Sequence, residues 1–224
     1  MPAAERLDER LPFEPGARLP EAADVWWRAR VDQRRLRLIE LLSTGYTTVY
    51  VAPFFVLAVF LVLLEPLLAP VSFLCLVHAW VIPELFAHRG ARVLAFDGPD
   101  DVAGKGLLAD LVDRAAADIE DETGAVVEGG RLGVWVLAEG GALLVRPGGR
   151  LVHAFCVGVK DPELRRSDRI AHLLLALRQD EAGFATVANH AFAGAAWRIR
   201  RRLARARRPA LDAAVVAARS QTRH

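Results

Sequence analysis

Apolar positions run almost unbroken from Thr48 to Ala87. The run reads TVYVAPFFVLAVFLVLL, then Glu65-Pro66, then LLAPVSFLCLVHAWVIPELFA. A bilayer is crossed by about 20 apolar residues in helical form. This length therefore predicts two helices, about Thr47–Leu64 and Leu67–Phe86, joined by a polar turn. Proline suits a first helical turn, where its missing N–H is no loss, so Pro66 or Pro70 is expected to open the second helix. The expectation is a two-span membrane hairpin over 47–88. The competing readings are a re-entrant hairpin and a hydrophobic pair buried in a soluble domain.

Outside the block the periodicity changes. Val25, Trp26, Val31, Leu38, Ile39 and Leu42 fall on one side of a helix with arginines interleaved, which predicts an amphipathic helix over 21–46 lying on the membrane surface or packed on the domain. Gly98-Pro99-Asp100-Asp101 reads as a turn and cap before a helix from about Val102 to Glu122, apolar at Leu107, Leu108, Leu111, Ala115 and Ile119. Three glycine pairs follow, Gly129-Gly130, Gly140-Gly141 and Gly148-Gly149, separating short apolar runs. Such pairs supply the backbone of tight hairpins, so an antiparallel meander of three strands is expected, with a fourth at Ala125–Glu128. Its strands are apolar on both faces, which calls for cover by helices or by a partner. Lys160-Asp161-Pro162 closes the sheet. Helices are expected at about Asp168–Arg178, Ala182–Leu203 and Leu211–Arg219. The fold class is thus a membrane α-helical hairpin plus a cytoplasmic α+β domain at 92–208, flanked by a disordered tail at 1–20 and a basic tail at 209–224.

Charge orients the hairpin. Arg28, Arg30, Arg34, Arg35 and Arg37 precede it, Arg89 and Arg92 follow it, and the turn carries no Lys or Arg. Positive residues stay inside, so both termini are expected in the cytoplasm of a multi-pass inner (plasma) membrane protein. Residues 1–20 hold no apolar stretch of the signal-peptide kind, leaving the first span as the expected targeting signal. The chain holds 27 Arg and two Lys and is rich in Ala, Leu and Val. That bias points to a GC-rich bacterial genome and hence a bacterial inner membrane. Cys75 and Cys156 lie far apart in different elements, and no ligand-spaced Cys/His set accompanies them, so neither a disulfide nor a metal or cofactor is expected.

Candidate chemistry is sparse. Ionisable residues inside a span are costly and suggest function, which singles out His78, Glu84 and His88 as a candidate intramembrane polar site. Glu84 and His88 are four apart on one face; His78 is not on that face. Gly98 to Gly106 superficially has the composition of a phosphate-binding loop, but the spacing is one residue long and Gly106 stands where a hydroxyl is needed. No serine sits in a nucleophile elbow, and His153, His172 and His190 read as structural histidines, so no catalytic set is expected. The acidic run Asp118–Glu122 reads as a solvated helix end.

The sharpest charge feature is basic. Arg198, Arg200, Arg201, Arg202, Arg205, Arg207 and Arg208 fall within eleven residues beside Trp197. They form a candidate surface for anionic lipid headgroups at the inner leaflet. Nucleic acid is a less favoured partner, and pairing with the acidic helix, within the domain or in a homo-oligomer or protein complex, is the third reading. The expected function is a membrane-anchored cytoplasmic scaffold or interaction domain; the alternative is a small membrane enzyme or transporter component using His78, Glu84 and His88.

Overall fold

The computed structural model describes residues 18–94, 106–159 and 164–221. The loop at 98–105, the segment Lys160-Asp161-Pro162 and most of the expected N-terminal tail lie outside them. Helix α1 spans Pro20–Asp24. Helix α2 runs from Gln33 to Leu64, 32 residues or about 48 Å. Asp32 caps it by accepting from the Arg35 N–H at 2.7 Å. Glu65 ends it, a short 3-10 turn follows at Pro66–Leu68, and α3 spans Ala69–Arg92 with Pro70 in its first turn. The two helices pack antiparallel. The small buried residues Ala58 and Ser72 lie on the facing sides, and ring contacts pair Tyr46 with Phe86 and Phe54 with His78. Both helices are long and apolar enough to cross a bilayer, and almost all of that apolar surface is exposed.

The amphipathic segment expected over 21–46 is not one separate helix. Residues 25–32 form a turn and an extended link, and from Gln33 onward the chain is already the helix that carries the apolar run. Arginines interrupt hydrophobicity there, but they do not interrupt the backbone hydrogen-bond ladder.

The remaining chain folds around one five-stranded antiparallel sheet in the order β1 (Val126–Gly129), β2 (Val134–Ala138), β3 (Gly141–Val145), β4 (Leu151–Cys156) and β5 (Asn189–Ala195). The four N-terminal strands follow the glycine-punctuated pattern. At the β3–β4 turn Gly148 and Gly149 take φ of +89° and +70°, which side chains with a Cβ rarely adopt. The fifth strand corrects the helix expected over Ala182–Leu203. That stretch is α7 (Glu181–Val187), β5 and α8 (Ala196–Arg202), in that order after α6 (Arg166–Gln179). The helix expected from Val102 to Glu122 is likewise two within its described part, α4 (Gly106–Leu111) and α5 (Arg114–Thr123), because Asp113 caps a new start by accepting from the Ala116 N–H at 2.8 Å. Helix α9 (Arg208–Ser220) closes the domain.

Both faces of the sheet are buried, as its doubly apolar strands require. Val134, Val136, Leu143, Val145, Val152 and Ala154 pack under α8, α9 and the C-terminal turns of α3. Val126, Trp135, Leu137, Leu144 and Phe155 pack under α6, α7 and Leu36 of α2. The two hairpin helices thus run onto opposite faces of the sheet and grip it at β5. Ser43 of α2 donates to the Ala193 carbonyl of that strand at 3.0 Å. On the other face Gly90 of α3 admits Phe192 and Ile199 so closely that a Cβ there would stand 2.7 Å from Ile199 Cδ1 and 2.8 Å from Phe192 Cβ. Gly90→Val is therefore expected to destabilise the domain by about 1–3 kcal/mol through overpacking. A lowered thermal midpoint of the full chain, followed by tryptophan fluorescence, checks it; an unchanged midpoint would mean that the helix is free to move away.

Candidate functional site

The joint between α2 and the sheet holds a chain of buried polar groups. Glu40 enters from α2, Arg146 from the residue after β3, His153 from the middle of β4 and His190 from β5. Antiparallel register sets Leu144 opposite His153 and His190 opposite Phe155, which directs both histidines toward the face that α2 covers. His153 is fully buried, at 0% exposure. Its Nε2 lies 2.9 Å from Glu40 Oε1 and its Nδ1 lies 3.1 Å from His190 Nε2. An ionised carboxylate only accepts, so Nε2 of His153 carries the proton it donates to Glu40. In the neutral ring Nδ1 then accepts from the Nε2–H of His190, leaving Nδ1 of His190 as the outer nitrogen of the chain. Arg146 completes the base: its Nε donates to Glu40 Oε1 at 2.9 Å and its Nη1 to the Leu132 carbonyl at 2.9 Å and to Gln33 Oε1.

Burial is the main reason that His153 is held neutral, with its affinity for a second proton below the usual histidine range. Glu40 pulls the other way and Arg146 adds to the depression. His190 is pushed down to about 4, first by loss of solvent on its inner edge and then by repulsion from His153. Its outer edge is exposed. Asn189 beside it accepts from Arg28 Nη2 at 3.1 Å.

The residues singled out in the sequence occupy different surroundings. His78 hydrogen-bonds through Nδ1 to the Leu74 carbonyl, one turn back on its own helix, at 2.9 Å and stacks on Phe54 of α2. Glu84 is buried, and its Oε2 accepts from Arg202 Nε at 2.9 Å and Nη2 at 2.7 Å. His88, one turn along, is exposed. The structure thus brings Glu84 to the basic segment rather than to His78. His172 is exposed on α6. Among the described residues no group of three or more His, Cys, Asp or Glu is placed to hold a metal ion, and both cysteines are free thiols.

The basic segment divides in two. Arg200 forms a two-pronged pair with Asp212 at 2.7 and 2.8 Å, which lowers the Asp212 carboxyl and raises the guanidinium. Arg202 holds Glu84. Arg207 donates to the Thr123 and Gly124 carbonyls at the end of α5, and Arg208 to those of Leu203 and Arg201. Arg198 and Arg201 instead flank the ring of Trp197, with guanidinium carbons 5.1 and 5.8 Å from its centroid. Trp197 is 50% exposed. Arg201 and Arg205 are exposed beside it.

Sequence reading missed Glu40, Arg146 and Arg202 as partners, since each pair is separated by more than a hundred residues. One local signal was present: a histidine at the centre of an otherwise apolar strand needs two polar neighbours from elsewhere. No protein-family model, no curated protein and no solved structure matches the chain.

Proposed function

We propose that this protein is a membrane-anchored scaffold: the hairpin crosses the inner membrane with both termini cytoplasmic, and the α+β domain is held against the inner leaflet by α8. The bond between Glu84 and Arg202 carries this reading. Ring contacts at Tyr46–Phe86 and Phe54–His78 set the hairpin register, which brings Glu84 level with Thr48, where the apolar run of α2 begins. Helix α8 is pinned there, with Trp197, Arg198 and Arg201 alongside. Exposed Arg34 and Arg37 on α2 and Arg89 and Arg92 on α3 add positive charge on the same side of the hairpin. Tryptophan and arginine favour the headgroup region, and each cation near an anionic leaflet contributes about 1 kcal/mol. The pairing of Glu84 with Arg202 and the back-bonded state of His78 favour anchoring over an intramembrane enzyme or transporter site. A protein partner or second copy would then dock on the cytoplasmic side of a domain whose distance from the bilayer is fixed.

The test uses the full chain in nanodiscs with and without phosphatidylglycerol, read by hydrogen exchange over residues 196–203. Anionic lipid is expected to slow exchange there. Replacing Trp197, Arg198 and Arg201 with serine removes about 2 kcal/mol or more of headgroup attraction and should abolish the difference. Equal exchange in both lipids would overturn the lipid contact and leave a protein partner, or nucleic acid, as the occupant of α8.

A further inference from the structure

We propose that Glu40, His153 and His190 form a proton-sensitive latch that holds α2 on the sheet and is released by acid, so that the coupling between hairpin and domain responds to cytoplasmic pH. The geometry supports four steps. First, the chain of hydrogen bonds is continuous from a helix of the hairpin to the edge strand: Glu40 Oε1 to His153 Nε2, then His153 Nδ1 to His190 Nε2. Second, of the two rings it is His190 that meets solvent. His153 is fully buried, whereas His190 is exposed, so a proton arrives at the outer nitrogen of His190.

Third, the chain is complete only while His153 is neutral, whereas a proton on the outer nitrogen of His190 leaves every bond in place. The junction between the two rings has one hydrogen, given by His190 and accepted by His153. A first added proton puts a cation at the edge of a site that already contains the Arg146 guanidinium. A second would leave two N–H groups facing each other across 3.1 Å. Fourth, burial opposes uptake more than the neighbouring anion assists it. Among the described residues Glu40 is the anion bonded to the rings, and it is shared with Arg146, which also holds the neutral Gln33. Separation of α2 from the sheet would return both imidazoles to water, where each binds a proton at its ordinary value near 6.5.

The sign follows from linkage. Both histidines bind protons more weakly in the closed joint than in water. The closed state is therefore fully favoured above about pH 6.5 and loses ground as pH falls below it. The latch is independent of whether α8 touches lipid.

Hydrogen exchange of the full chain in nanodiscs, corrected for the intrinsic pH dependence of exchange, tests it. Between about pH 7.5 and about pH 5.5, protection over residues 33–46 and 189–195 is expected to fall about three- to tenfold relative to α9, the lower figure allowing for the exposed face of His190. His190→Gln keeps a side-chain N–H for His153 Nδ1 but cannot take up a proton. It should retain the neutral-pH protection and show less than half of the acid-induced loss. Constant protection of the wild-type chain across this range would overturn the latch, whatever the variant does. An equal loss in His190→Gln would overturn the assignment of His190 as the entrance.

Discussion

Glu40→Ala is expected to lower the stability of the domain by about 3 kcal/mol, because it strands two buried donors at once. The Arg146 guanidinium would keep the Leu132 carbonyl and Gln33 but lose the anion paired with it. His153 would keep His190 but lose the acceptor for its Nε2–H. Unfolding of the full chain, followed through the buried Trp135, measures the loss. Two further variants identify its cause. Glu40→Gln retains one acceptor oxygen without the charge and should cost about half as much. In Glu40→Ala/His153→Phe the orphaned donor is gone and an aromatic ring refills its space, so part of the stability should return. A cost below about 1 kcal/mol for Glu40→Ala, or no recovery in the double variant, would mean that the pair contributes little to holding α2 in place.

The same residues show where sequence patterning is sufficient and where it stops. The hairpin and the first four strands are local affairs. A forty-residue apolar run can satisfy its backbone only as helix when lipid surrounds it, and a glycine pair between short apolar runs can hardly be anything but a turn. Strand β5 is different. Its sequence, NHAFAGA, carries no β-branched residue and sits between two stretches of good helix formers. It is extended because β4 offers an unpaired edge and because Phe192 fills the space above Gly90, a tertiary circumstance that local propensity does not encode. The candidate site suffers the same limitation more severely. His153 and His190 were visible as polar interruptions, but their connection depends on β5 lying beside β4, and their link to the hairpin depends on α2 crossing that edge. Glu84 stood out in the sequence as an ionisable residue near the end of the apolar run. Its partner Arg202 lies 118 positions away and belonged, in the sequence, to a cluster whose charge alone suggested a ligand.

Glu181→Ala should be at least as damaging, by about 4 kcal/mol, since a single carboxylate there answers three donors. Oε1 accepts from the Trp135 indole N–H at 2.7 Å and the Leu132 N–H at 3.0 Å, while Oε2 accepts from the Arg131 N–H at 2.8 Å. Two of these donors are the backbone of the turn between β1 and β2, and the third belongs to the largest side chain in the core. Glu181 opens α7, where the N-terminal N–H groups also favour a carboxylate. It follows Asp180, which caps the same helix through the Gly183 N–H and pairs with Arg30. One short helix start therefore ties the far turn of the sheet, the central tryptophan and the link that leads into α2. Alanine removes every acceptor; glutamine keeps one oxygen but turns an amide donor toward other donors, and should fall in between. Exchange at residues 130–133 is expected to rise before global unfolding, with a matching change in Trp135 emission. If that turn keeps its protection in Glu181→Ala, the strands alone hold it, and the carboxylate serves only to cap α7.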